Sequence, residues 1–290
     1  MTIMPMKYNE LKSSELNSTK PAATSARRPA RRSAKAIFSE PLSLRPPSLW
    51  RMALEARAPV ELWASVLSLP FLSQVPKGDG QPVLVFPGLL AGDSTTLLLR
   101  SFLKRLGYVP FGWNQGINVG PRHGVLAGCR ERIEEIYTQY GRKVSLIGWS
   151  LGGLYAREMA KLMPAMVRQV ITLGSPFAGN PQATHAWRIF EYFSGHSASD
   201  PNLRERLRGA PPVPTTSIYS KTDGVVSWQC SVQAPAKQSE NIEVHASHLG
   251  LGMNPLALFA LADRLAQPQD KWKPFSRAGL RGMFFSEPEF

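Results

Sequence analysis

Apolar residues along the chain follow two alternating rhythms. Short unbroken runs, "PVLVFPG" (82–88), "YVPFGW" (108–113), "KVSLIGWS" (143–150), "VRQVITLGSP" (167–176), "TTSIYS" (215–220) and "NIEVHA" (241–246), have the length and β-branched content of buried strands. Between them, "TTLLLRSFLKRLG", "GVLAGCRERIEEIYTQYG", "LGGLYAREMAKLMP" and "NPLALFALADRLA" place apolar residues every three or four positions, the spacing of an amphipathic helix. Gly107 and Gly141 fit the C-terminal caps of the first two. A strand covered on both faces loses its polar–apolar alternation, so this order predicts an α/β architecture: a mostly parallel central sheet with helices on both faces. No internal repeat is evident.

Two stretches fall outside that rhythm. Residues 48–72 read as helical, with Leu49, Met52, Ala53, Ala56, Val60, Trp63, Val66 and Leu67 at spacings of three and four, and Pro59 starting a second helix or kinking the first. Trp50 and Trp63 on this segment either pack the core or touch a membrane surface; core packing is the expectation. The run Leu62–Leu72 is too short to span a bilayer and contains Pro70. Residues 177–214, with "THAWRIFEYFSG" and "DPNLRERLRG", are too long for a simple connection and read as a small helical cap inserted over the ligand-binding edge. The chain therefore divides into a basic tail (1–40), a helical extension (41–77), an α/β domain (78–270, with the insertion at about 177–214) and a C-terminal tail (271–290).

Composition refines this picture. The 290 residues, 43% of them hydrophobic, suffice for one sizeable core. The net charge is +13, and the first forty residues hold eight basic and three acidic side chains with no apolar periodicity. That head reads as disordered. Its cluster Arg27, Arg28, Arg31, Arg32 and Lys35 suits a solvated tail better than a nucleic-acid contact, because no DNA- or RNA-binding motif accompanies it. Cys129 and Cys230 form no metal-ligand or redox pattern, and two free thiols in a reducing cytosol is the simpler reading. No secretory h-region is visible. A cytoplasmic protein, with peripheral membrane contact as an option, is expected.

"SLIGWSLGG" (145–153) places a serine on the corner between a predicted strand and a predicted helix. Such a turn drives its central residue toward positive φ and crowds the positions two away on either side; Gly148 and Gly152 remove those side chains. The pattern is the GxSxG nucleophile elbow, which lifts the Ser150 hydroxyl clear of the backbone. A serine needs a base, and the base an orienting acid, following in the order Ser, Asp or Glu, His. Asp223 follows a late strand in "TTSIYSKTDGVVSW", with Asp200 and Glu191 as reserves and a plain Asp–Gly turn as the alternative. His248 lies in the loop after the last strand. His245 reads as a structural residue at that strand's end, His123 lies too early, and His185 and His196 fall in the insertion. The oxyanion donors expected are the backbone N–H groups of Leu151, after the nucleophile, and Leu89, in "VFPGLLAGD".

With these residues assembled, the chain resembles the α/β-hydrolase superfamily, and within it bacterial esterases and lipases. The matching pieces are "VLVFPGLLAGD", "VSLIGWSLGGLYAREMA", "VITLGSPFAG", "SIYSKTDGVVSW" and "SHLGLGMNP", in the family's order from about Val83 to Ala266. The resemblance implies a Ser150–Asp223–His248 triad, ester hydrolysis through an acyl-enzyme, and no cofactor or metal. Many lipases carry His-Gly at the oxyanion loop, where this chain has Pro87-Gly88. Aromatic residues Trp113, Phe177, Trp187 and Phe190 either pack the core or line an apolar acyl pocket. The expected partner is a small-molecule or lipid-like ester. An acyltransferase using the same triad and a non-catalytic binding protein are the competing readings.

Overall fold

The computed structural model describes residues 45–179, 183–185, 191 and 201–288. Six strands form one sheet: β1 (Pro82–Phe86), β2 (Val109–Gly112), β3 (Val144–Trp149), β4 (Val167–Leu173), β5 (Thr215–Tyr219) and β6 (Ser239–Glu243). Every pairing is parallel, in the order β2-β1-β3-β4-β5-β6. The chain moves outward from β1 to β2, then crosses back over β1 to β3. Direction reverses between β1 and β3, and in open parallel sheets ligands bind beyond the carboxyl ends of the strands at such a reversal.

The helices among the described residues are α1 (Leu49–Ala53), α2 (Ala58–Leu67), α3 (Leu69–Leu72), α4 (Leu97–Arg105), α5 (Val125–Tyr140), α6 (Leu151–Leu162), α7 (Pro201–Arg208) and α8 (Pro255–Leu265). They build two cores, one on each face of the sheet. Val83, Val85, Ile147, Ile171, Ile218 and Ile242 meet α4 and α8 on one face. Leu84, Phe86, Leu146 and Val170 meet α5 and α6 on the other. Alternate residues of β1, β3 and β4 serve opposite cores, which is why these strands read as nearly unbroken apolar runs. Gly107 and Gly141 take left-handed conformations after α4 and α5, as expected of caps. The last residues join the first core through Phe275 and Phe285, and the Phe275 N–H donates to Glu240 Oε2 at 2.7 Å.

Two sequence expectations need correction. The segment α1–α3 does not bury its apolar stripe: Leu49, Trp50, Met52, Val60, Trp63, Val66, Leu67 and Phe71 are exposed, and Glu55, Glu61 and Ser65 are buried in their place. His245 lies two residues beyond β6, with an exposed side chain, because the strand starts earlier and ends at Glu243. Cys129 and Cys230 are both buried, and no disulfide joins them.

Candidate active site

β3 passes into α6 through a single residue, Ser150, at φ 54° and ψ −123°. Non-glycine residues hold that conformation only when their surroundings enforce it. Here the Ser150 N–H donates to the Leu173 carbonyl (2.8 Å) and its own carbonyl accepts from the Gly153 N–H (3.0 Å). The corner closes because two side chains are missing. A Cβ on Gly148 would overlap Gly153 Cα, and one on Gly152 would overlap the Phe86 carbonyl. The serine itself is half-buried.

The turn after β1 faces this corner. A Cβ on Gly88 would lie 3.3 Å from Ser150 Cβ and 3.9 Å from its Oγ. The turn is pinned by Asn118, whose side-chain amide donates to the Pro87 carbonyl at 2.8 Å and whose carbonyl accepts from the Leu90 N–H at 2.7 Å. Leu90 pays for this geometry with φ 58°. The Leu89 N–H has no acceptor among the described residues. Leu151 opens α6, so its N–H has no carbonyl four residues back within the helix. These two groups are the donors expected for an oxyanion.

Asp223 follows β5 and His248 follows β6, and the structure brings them together. His248 Nδ1 lies 2.7 Å from Asp223 Oδ2, and both side chains are buried. The other carboxylate oxygen, Oδ1, accepts the N–H groups of Val225 (2.8 Å) and Val226 (2.7 Å), which fix the carboxylate plane. A carboxylate at Nδ1 keeps the proton on that nitrogen and leaves Nε2 as the basic one. The Trp149 indole N–H donates to the His248 carbonyl at 3.0 Å, tying the strand that carries Ser150 to the histidine loop. Burial pulls the His248 pKa down; the Asp223 carboxylate, by charge and hydrogen bond, and Glu55 beyond it outweigh burial, so the net shift is upward. The Cys230 thiol, behind Asp223, is pushed up to about 12, chiefly by burial, and is no rival nucleophile at neutral pH.

Sequence reasoning missed the residues that hold this pair in place. Glu55 Oε1 accepts the N–H groups of Gly224 (2.7 Å) and His248 (2.9 Å), and Oε2 accepts that of Leu249 (2.9 Å). One carboxylate thus clasps the residues after the acid and around the base. Glu61 repeats the device: Oε1 accepts the Ser247 N–H (2.7 Å) and Oε2 the Asn254 amide (3.2 Å). Arg57 pairs with Glu61 at 3.0 Å and donates to the Thr222 carbonyl and hydroxyl. The approach is close: a Cβ on Gly250 would overlap Glu61 Oε2.

Of the four candidate pocket aromatics, Trp113 and Phe177 are among the described residues. Trp113 is buried in the α5–α6 core beside Tyr155 and donates its indole N–H to the Gly116 carbonyl (2.9 Å), so its ring is core and not pocket wall. Phe177 is buried with the Arg157 guanidinium 3.8 Å above its ring centre. Trp187, Phe190, His196 and Asp200 lie outside the described residues. His185 bonds the Pro47 carbonyl through Nε2 at 2.8 Å, and His123 is exposed.

Comparison with known proteins agrees on the fold. The chain has the fold of the α/β hydrolases. Residues 116–231 match the family model of the PGAP1-like alpha/beta domain. Among solved structures, Aspergillus fumigatus lipase B aligns with a TM-score of 0.52 and 20% identity, over 68% of this chain and 57% of its own. Bacillus licheniformis lipase BlEst2, in its propeptide form, aligns at 0.51 and 17%, over 70% of this chain and 54% of its own. The chain spans little more than half the length of these two lipases. No curated protein matches it in sequence.

Proposed function

We propose that the chain hydrolyses carboxylic esters of apolar acids through an acyl-enzyme on Ser150. The observation that carries this reading is the strained, half-buried serine at the end of β3, with the 2.7 Å Asp223–His248 pair on loops at the same edge of the sheet. His248 Nε2 takes the Ser150 proton as Oγ bonds to the ester carbonyl carbon. The carbonyl oxygen becomes an oxyanion held by the N–H groups of Leu89 and Leu151. Its collapse breaks the ester C–O bond, and the departing alkoxide takes the proton from His248. Water then repeats the sequence on the acyl-enzyme, releasing the acid and restoring Ser150. Asp223 holds the imidazole tautomer and stabilises the imidazolium.

An apolar substrate is supported by the exposed side chains beside these groups: Leu90 follows the oxyanion donor, Ile117 precedes Asn118, and Leu249 follows the histidine. A serine-directed fluorophosphonate tests the reading. It should form one covalent adduct, mapped by mass spectrometry to the peptide containing Ser150. A folded chain that takes no label, or takes it elsewhere, would overturn the assignment. Release of free acid in water with no alcohol acceptor separates hydrolysis from acyl transfer.

A further inference from the structure

An amphipathic helix on a globular domain ordinarily turns its apolar face inward. Residues 49–71 do the reverse. Glu55, Glu61 and Ser65 face the domain, and Trp50, Trp63 and Phe71 stand 72%, 68% and 75% exposed. Leu49, Val60 and Leu67, similarly exposed, complete the face. The patch adjoins the site, since exposed Leu249 bonds Glu55 through its backbone. No helix among the described residues is long and apolar enough to cross a membrane.

Along residues 45–75 the exposed charges have one sign. Between residues 45 and 77 the acidic positions before Pro76 are Glu55 and Glu61, both turned inward, whereas Arg45 and Arg51 are exposed. Arg27, Arg28, Arg31, Arg32 and Lys35 precede the patch closely in sequence. A second copy of a chain carrying +13 would bring like charges together across this face. An anionic lipid surface supplies both an apolar layer for the indoles and leucines and a complement to the cations.

We propose that the outward face of residues 49–71 docks this protein on the surface of anionic lipid bilayers. That such docking brings ester substrate to Ser150 rests on the esterase reading; the docking itself does not. The test is flotation of the full chain with phosphatidylcholine vesicles, with and without phosphatidylglycerol, for wild type and a Trp50→Ser/Trp63→Ser/Phe71→Ser variant. Wild type should float with the anionic vesicles and not with the neutral ones. The variant should bind weaker by roughly tenfold per aromatic residue removed. A cooperative thermal unfolding transition at the wild-type Tm shows that the variant is folded, whether or not any ester is hydrolysed. Wild type that stays unbound, a folded variant that floats equally well, or a dimer in sedimentation abolished by the triple substitution would overturn the proposal. Flotation without hydrolysis of any ester would leave docking in place and sink the esterase reading alone.

Discussion

Replacing Glu55 with Gln changes one atom and one charge at the centre of the clasp. In the native structure its two oxygens accept three backbone N–H groups, from Gly224, His248 and Leu249, at 2.7 to 2.9 Å. Gln keeps one acceptor oxygen and turns an amide donor toward the remaining N–H. Each buried donor left without an acceptor costs about 1–3 kcal/mol. The Gln variant should therefore lose about 2–4 kcal/mol, and Glu55→Ala about 3–5 kcal/mol once water enters the vacated space. For a domain of this size that is a fall in Tm of roughly 5–12 °C. A second readout follows from charge. Glu55 helps raise the His248 pKa, so Glu55→Gln should shift the acid limb of the kcat–pH profile for a soluble ester to lower pH. Thermal unfolding and that profile together test the idea. A variant with unchanged Tm and an unmoved limb would refute it, and a lowered Tm with an unmoved limb would reduce Glu55 to a structural tie.

Other substitutions probe the site from different sides. Asp223→Asn should cut kcat by about 10⁴ near neutral pH, because the histidine loses the partner that fixes its tautomer; a loss under tenfold would remove Asp223 from its role. Gly250→Ala, which drives a methyl into the Glu61 carboxylate, should raise the protease sensitivity of residues 49–72 before that of the sheet; uniform sensitivity would contradict the clasp. The raised His248 pKa links folding to pH. Its stabilising contribution is complete below its ordinary value of about 6.5 and is lost as pH rises through the raised folded value. Activity, which needs neutral imidazole, should climb over the same window. Tm and kcat/KM followed against pH, with His248→Gln as the reference for Tm, should move in opposite directions.

The parallel sheet is legible because burial on both faces leaves a run such as Val83–Phe86 no polar position, while α4 and α5 keep a polar side. The elbow is legible because the steric demand of the corner acts on Gly148 and Gly152, within two residues of the serine. Asp223 and His248 are found by their order after β5 and β6, not by any local pattern. Glu55 and Glu61 escape such reasoning because their partners lie more than 160 residues away. On a helix, carboxylates opposite an apolar stripe read as a solvated face. Only the folded chain shows that the stripe is outside. Trp113 misleads for a related reason. It lies one residue beyond β2, near the ligand edge, yet its backbone N–H donates to Asp93 Oδ1 (2.9 Å) and its ring packs against Tyr155 in the core.

Ser150 bears the central claim. Hydrolysis of a nitrophenyl ester series from acetyl to palmitoyl, by wild type and Ser150→Ala, tests it most directly. The expected result is turnover by wild type, with a preference for longer acyl chains, and a fall in kcat of about 10⁴–10⁶ in the variant. A folded wild type inert toward every ester, or a Ser150→Ala variant that keeps its activity, would contradict the account.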